Sequence, residues 1–331
     1  MAGISGSSSG SWIPVVDLSP FLAGNDDGGD ETTTGKKKKK AVMEVVKEAC
    51  SETGFFQVVN HGVPTPLIDR AFQVSTHFFD LPADEKLRYS SGSDAPLAPG
   101  YNRQPVHPPY RSEFLLMFSP SSAMTNIYPA NPPHLREVEE EVFTSLSKTA
   151  SLIEGIINDC LGLPSGLLKE FNSDRSSDFL MAHQYFAATE GQTNGLTPHE
   201  DSNSITLVFQ DDAGGLEVFR NGEWIPATPE PGAIVVNVGD IIQVLSNNKF
   251  KSATHRVVRP GGKSRYSYAF FYSLPPEKWV EPLSQLTEEV GELPKYRKFQ
   301  FGEYLELKRK GIFNPPKRPQ DIIHVTHYSI N

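Results

Sequence analysis

From Phe179 onward the chain breaks into eight short apolar runs separated by turn residues, and this texture limits the fold more than any other feature. The runs are 179–186, 205–210, 216–220, 224–227, 233–238, 241–244, 253–258 and 267–273, with Gly, Pro, Asn or Asp punctuating the gaps. Runs this short, evenly spaced and bounded by turns, predict a double-sheet jelly roll or a barrel.

The first half of the chain reads differently. Apolar residues recur at helical spacing over 41–52, 66–79 and 137–161, and Gly162 ends the longest of these segments. Residues 54–60 and 112–118 read as strands, with a short first strand at 13–17. Five prolines between Ser90 and Pro109 argue against regular structure there and predict a long loop of the kind that carries function. The glycine-rich segment 24–35 reads as a flexible loop, and Lys36–Lys40 as a solvated loop beside it. A helix is expected at 301–310.

The fold class is thus β-dominated α+β: a double-stranded β-helix (jelly-roll) core with supporting N-terminal and C-terminal helices. The expected segments are 1–40 (flexible N-terminus with the first strand), 41–178 (helical support with a substrate loop), 179–280 (jelly-roll catalytic core) and 281–331 (C-terminal helix and tail). With 38% hydrophobic and 21% charged residues the chain can bury an ample core. A net charge of −9 argues against nucleic acid or an anionic membrane as partner. No run approaches the roughly 18 apolar residues of a membrane span. Residues 1–11 read as a disordered tail, not a signal peptide. Cys50 and Cys160 lie in apolar, helix-like surroundings, which suggests reduced thiols and a cytoplasmic protein.

Two residues apart, His199 and Asp201 point to the same face if their backbone is extended, where both can grip one metal. His255, about four strands later, is the candidate third ligand. Two imidazoles and one carboxylate with open positions suit non-haem Fe(II), although catalytic zinc also uses such sets. A His-x-Asp pair can also simply close a turn, so it carries little weight alone. Ten residues after His255 comes Arg265, with Ser267 sharing its face. An arginine aimed into an apolar barrel needs an anion, and its planar fork suits a carboxylate. A dicarboxylate whose other end chelates the metal would satisfy both groups.

This combination resembles the 2-oxoglutarate/Fe(II)-dependent dioxygenases, in particular the soluble plant-type class similar to isopenicillin N synthase. Three further stretches carry the likeness: Gly54–Val63 (GFFQVVNHGV), Pro231–Asp240 (PGAIVVNVGD) and Ser246–Ser252 (SNNKFKS). It covers about Ile13 to Pro276. The resemblance implies Fe(II), 2-oxoglutarate and O2 as cofactors, with ascorbate as reductant. It makes His199, Asp201 and His255 the iron ligands, and Arg265 and Ser267 the grip on the distal carboxylate of 2-oxoglutarate. The family motif Asn-Tyr-Tyr-Pro reads His183-Gln184-Tyr185-Phe186 here, so Tyr185 and His183 stand where the family's other cosubstrate contacts lie. The implied reaction is oxidative decarboxylation of the keto acid to succinate and CO2, coupled to oxidation of a small organic metabolite.

For the substrate pocket the candidates are Tyr101, Arg111, Phe114, Leu116, Phe118, Phe209 and Phe271. Phe271 shares a strand face with Ser267, and Arg111 would suit an acidic group on the substrate. Of the remaining histidines, His61 is expected to close the turn after its strand, and His77, His107, His134, His324 and His327 show no partner spacing. Two other readings stay open: an ascorbate-dependent oxidase of the same fold that does not use 2-oxoglutarate, and a non-catalytic binding protein. The partner is a small molecule, and a monomer is favoured.

Overall fold

The computed structural model describes residues 13–22, 33–92, 97–104, 111–313 and 323–330. Elements in the first half are β1 (Val15–Asp17), α1 (Ser19–Leu22), α2 (Thr33–Glu52), β2 (Phe55–Val59), α3 (Thr65–Phe79) and α4 (Ala83–Leu87). They continue with β3 (Gly100–Gln104), β4 (Ser112–Phe118), α5 (Leu135–Cys160) and α6 (Leu167–Phe171). The second half holds β5 (Phe179–Tyr185), β6 (Asn194–His199), β7 (Ile205–Gln210), β8 (Leu216–Arg220), β9 (Glu223–Pro226) and β10 (Ile234–Val238). It ends with α7 (Asp240–Leu245), β11 (His255–Val258), β12 (Arg265–Tyr272), β13 (Trp279–Val280), β14 (Phe299–Gln300) and α8 (Phe301–Phe313).

Strands β5 to β12 form the jelly roll. Four of them lie side by side in the order β10-β7-β12-β5 within a larger sheet, extended by β2 and β1 at one edge and by β4 and β3 at the other. The other four make a smaller sheet in the order β6-β11-β8-β9. Alternation then sorts the side chains of the larger sheet. One face carries Leu115, Ala182, Leu207, Phe209, Tyr268 and Phe270, which join the main core with α2, α3 and α5. The other face looks into the barrel and carries every candidate cosubstrate contact.

Four expectations need correction. The run 241–244 is helical, within α7; all six of its residues are buried, so the run has no alternation by which to tell strand from helix. Between the prolines of 90–109 lies a strand: β3 pairs antiparallel with β4 from Gly100↔Leu116 to Gln104↔Ser112. Lys36–Lys40 belong to α2, where they form a largely exposed helical face and not a loop, and that helix already begins at Thr33. Strand β6 went unread because it is an edge strand, mostly exposed, with Gly195 and Pro198 inside it. The rest of the expected loop at 24–35, the tail at 1–11 and positions 93–96 and 105–110 of the proline-rich segment lie outside the described residues.

His61 does close its turn: Nδ1 accepts from the Val63 amide at 3.2 Å, and Nε2 lies 3.0 Å from the Gly232 carbonyl, to which it donates. Cys50 and Cys160 are free and buried. Among the described residues no helix is long and apolar enough to cross a membrane.

Candidate metal centre and anion clamp

His199 ends β6 and His255 opens β11, and the antiparallel register sets the two directly opposite each other. Their ring centroids are 4.3 Å apart. Each Nδ1 donates to a carbonyl two residues back, His199 to Thr197 at 2.8 Å and His255 to Ala253 at 3.1 Å. That fixes the tautomer and leaves both Nε2 lone pairs facing inward. Asp201 completes the group, its Oδ1 lying 3.6 Å from His199 Nε2 and 3.7 Å from His255 Nε2. Its other oxygen is already committed: Oδ2 accepts from Thr206 Oγ1 at 2.6 Å and Asn237 Nδ2 at 2.8 Å. The three ligand atoms lie within 4.8 Å of one another, close enough to share one ion.

The loop holding Asp201 is closed by backbone. Asp240 N–H donates to the Asp201 carbonyl at 2.8 Å, and Gly239 N–H donates to Ser204 O at 2.9 Å. A Cβ on Gly239 would sit 2.1 Å from Asn203 O, so only glycine lets these strands approach.

Charge at the centre is strongly coupled. Burial alone would raise the Asp201 carboxyl, but the two imidazoles and the Thr206 hydroxyl hold it far below the usual range. His255 is lowered to about 4, first by burial and then by the nearby His199. Burial also acts to lower His199, but its contact with Asp201 wins and the net shift is upward. An anionic carboxylate beside a neutral His255 is a donor set ready for a divalent cation.

Deeper in the barrel lies Arg265, only 1% exposed. Its Nη1 donates to Ser267 Oγ and its Nη2 to Gln210 Oε1, both at 2.9 Å, while Nε is buried without a partner. The guanidinium sits 5.2 Å from the centre of the Tyr185 ring. No described carboxylate lies within ion-pair distance of it. A buried cation without a counter-ion is costly, so this donor set demands an anion. Burial pulls its pKa down from the ordinary value, with Tyr185 and Asp211 pulling the other way.

Strand register sets the order along the barrel. Arg265 pairs with Tyr185, and Ser267 with His183 and Gln210; Phe271 pairs with Thr206, the residue bonded to Asp201. The triad thus lies toward the Phe271 end of β12 and the anion clamp toward its Arg265 end. A chelating dicarboxylate fits this arrangement, one end at the triad and the other at the guanidinium.

His183 lies between these polar groups and an apolar wall. Its ring stacks on Tyr185 at 5.2 Å and tilts against Phe114 at 4.9 Å. Burial, then Arg265, depresses its pKa to about 3, so the imidazole is neutral. The wall is Phe114, Leu116, Phe118, Phe179, Met181 and Phe271, with Phe179 and Phe271 stacked at 4.4 Å. Phe179 and Met181 were missed as candidates, although they share a strand face with His183 and Tyr185. Gln210, Thr206 and Asn237 were missed because only the observed pairing brings them to the ligands.

Three pocket candidates do not line this wall. Tyr101 and Phe209 fall on the opposite, helix-facing side of the sheet: Phe209 stacks on Tyr268 at 4.7 Å, and Tyr101 packs edge-on against Phe78 at 5.7 Å. Arg111 sits at the wrong end, its carbonyl accepting from Phe186 N–H beyond Tyr185, whereas Phe118 and Phe179 mark the metal end. It opens instead on a separate cavity of about 300 Å³ lined by Gln192, Thr193, Asn194 and Arg259. His324, which shows no partner spacing in sequence, lies 2.6 Å from Glu200.

Residues 176–274 match the 2OG-Fe(II) oxygenase superfamily, and residues 13–120 match the non-haem dioxygenase in morphine synthesis N-terminal family. The chain is 34% identical to a flavonol synthase/flavanone 3-hydroxylase of Arabidopsis thaliana over 88% of its own length and 84% of the relative's. The chain belongs to the 2OG-Fe(II) oxygenase superfamily. A 1-aminocyclopropane-1-carboxylate oxidase of Musa acuminata is 32% identical over 84% of this chain and 92% of the relative. Among solved structures, JOX2 in complex with 2OG, Fe and JA superposes with a TM-score of 0.80 at 30% identity, covering 96% of this chain and 89% of JOX2. This 2-oxoglutarate-dependent dioxygenase therefore uses Fe(II) and 2-oxoglutarate, and the residues present fit both. His199, Asp201 and His255 would hold the ion, and Arg265 with Ser267 would receive the cosubstrate's distal carboxylate.

Proposed function

We propose that this dioxygenase oxidises a small, predominantly apolar organic metabolite, of the specialised-metabolite or hormone kind, with release of succinate and CO2. The wall beside the metal triad carries the reading: six apolar side chains, four of them phenylalanines and none charged, flank the ligand end of the barrel. An aromatic or aliphatic skeleton packs well on such a surface. The relatives support this reading: one is a flavonol synthase/flavanone 3-hydroxylase, and JOX2 is seen in complex with JA. An acidic substrate group held by Arg111 is not part of this proposal, because that side chain serves another cavity.

Iron and keto acid, when bound, would activate O2 as the oxidant, the keto acid giving up two electrons as it becomes succinate and CO2, and the protein's residues supply placement. Asp201 and the two imidazoles would hold the ion beside the wall, and Arg265 and Ser267 would hold the keto acid's distal carboxylate. His183, neutral and uncommitted, offers one ring N–H between cosubstrate and substrate. The proposal includes ascorbate as the reductant that maintains Fe(II), and a cytoplasmic monomer. A panel of flavanones, hormone acids and alkaloids, assayed for succinate release and product mass, tests the substrate class. The expected hit is an apolar ring system. Turnover confined to strongly polar substrates would refute the reading.

A further inference from the structure

Glu200, between the ligands His199 and Asp201, is gripped by the C-terminal part of the chain. Its Oε2 accepts from His324 Nδ1 at 2.6 Å and faces Lys308 Nζ at 3.8 Å. Lys308 Nζ also donates to the Glu200 backbone carbonyl at 3.0 Å. Oε1 accepts from Thr254 Oγ1 at 2.5 Å, next to the third ligand His255. One side chain therefore ties β6 to the approach to β11 and ties both to the tail.

A second route closes the same loop. Lys308 lies 3.5 Å from Asp240 Oδ2, which also accepts from Tyr304 at 2.5 Å, and Asp240 N–H holds the Asp201 carbonyl. Two residues of α8 and one of the following 3-10 turn (Val325–Tyr328 with its preceding His324) thus meet two carboxylates, each one covalent or hydrogen-bonded step from a ligand. Glu200 and Asp240 are largely shielded from water, so these contacts are weakly screened. Nothing in the ligand triad itself requires such an attachment.

We propose that docking of the C-terminal segment and metal binding are coupled through Glu200, the tail holding the His199–Asp201 and Thr254–His255 stretches at the spacing an ion needs. This rests on reading the triad as the metal centre. Glu200 is a positioning residue, since it touches ligand-bearing backbone and not the ion. Coupling is reciprocal: if the docked tail strengthens metal binding, metal must strengthen docking by the same factor.

The experiment uses the full chain with Mn(II) as probe, measured by calorimetry, and amide exchange of 301–308 and 323–328 with and without metal. In the wild type, Mn(II) should slow exchange in both segments. Lys308→Met and His324→Ala, which alter only the tail side, should each weaken Mn(II) binding about tenfold and abolish that protection, with secondary structure retained. Lys308→Arg should restore most of the affinity. Glu200→Gln gives an independent arm, with a loss of similar size expected. Unchanged Mn(II) affinity in all three loss variants would overturn the coupling, whatever happens to tail exchange. A wild type that binds no Mn(II) would instead remove the metal-centre reading itself, and His255→Ala sets that baseline.

Discussion

Thr206 donates its hydroxyl hydrogen to Oδ2 of Asp201 at 2.6 Å, which leaves Oδ1 as the oxygen facing both imidazoles. With Asn237 on the same Oδ2, the carboxylate is oriented before any ion arrives. Outer contacts of this kind are worth about 10–100-fold in metal affinity. Thr206→Val, nearly isosteric, should therefore weaken Fe(II) or Mn(II) binding by about tenfold while the protein stays folded. Calorimetric titration checks it; wild-type affinity would show that Asp201 needs no such orientation.

Arg265 yields a prediction with opposite signs in two assays. Its guanidinium is buried with Nε unpaired, a cost that only a bound carboxylate removes. Arg265→Met should raise the melting temperature of the cosubstrate-free protein. It should also cost 2-oxoglutarate about 2–5 kcal/mol of binding, at least thirtyfold in KM. A purely structural arginine would give a lower melting temperature and an unchanged KM.

His183 is neutral at working pH and has an N–H to give. His183→Asn keeps a donor and should leave the KM for 2-oxoglutarate within about threefold, whereas His183→Phe should raise it by up to about tenfold, the worth of one hydrogen bond. A KM raised more in His183→Asn than in His183→Phe would indicate that the ring acts only by packing.

Glu139 of α5 makes stability fall with rising pH. Tyr268 Oη donates at 2.8 Å to both Ala71 O and Glu139 Oε1, and Glu139 Oε2 is buried without a partner. Burial, only partly offset by Tyr268, raises its pKa from 4.5 to about 8. The folded state therefore binds a proton that the unfolded chain loses above 4.5, so its stabilising contribution is full below that pH and is lost as pH rises through about 8. Glu139→Gln should flatten this slope, with its largest gain in urea-melt midpoint at pH 8 and little effect at pH 4. An equal shift at both pH values would contradict the assignment.

Much of this architecture was legible because alternation and turn residues survive in sequence. Arg265 and Ser267, two apart on β12, share the face that period-two spacing assigns them, and Asp201, just past the end of β6, still meets His199. What failed to show was of two kinds. Wholly buried α7 and the exposed edge strand β6 lack the half-buried pattern that marks a strand. Phe209 and Tyr101 were misplaced, and Thr206, Asn237 and Gln210 overlooked, because which face meets the ligands depends on cross-strand register, set by contacts far apart in the chain. The grip of His324 and Lys308 on Glu200 spans more than 100 residues and has no local signature.

The central claim is that one ion and one keto acid sit together between the His199–Asp201–His255 triad and Arg265. Anaerobic addition of Fe(II) and 2-oxoglutarate to the metal-free protein, followed by visible absorption, tests it most directly. The account predicts a metal-to-keto-acid band in the wild type that is lost in His255→Ala and needs far more 2-oxoglutarate in Arg265→Met. A wild-type protein that binds Fe(II) but forms no such band at saturating 2-oxoglutarate would contradict it.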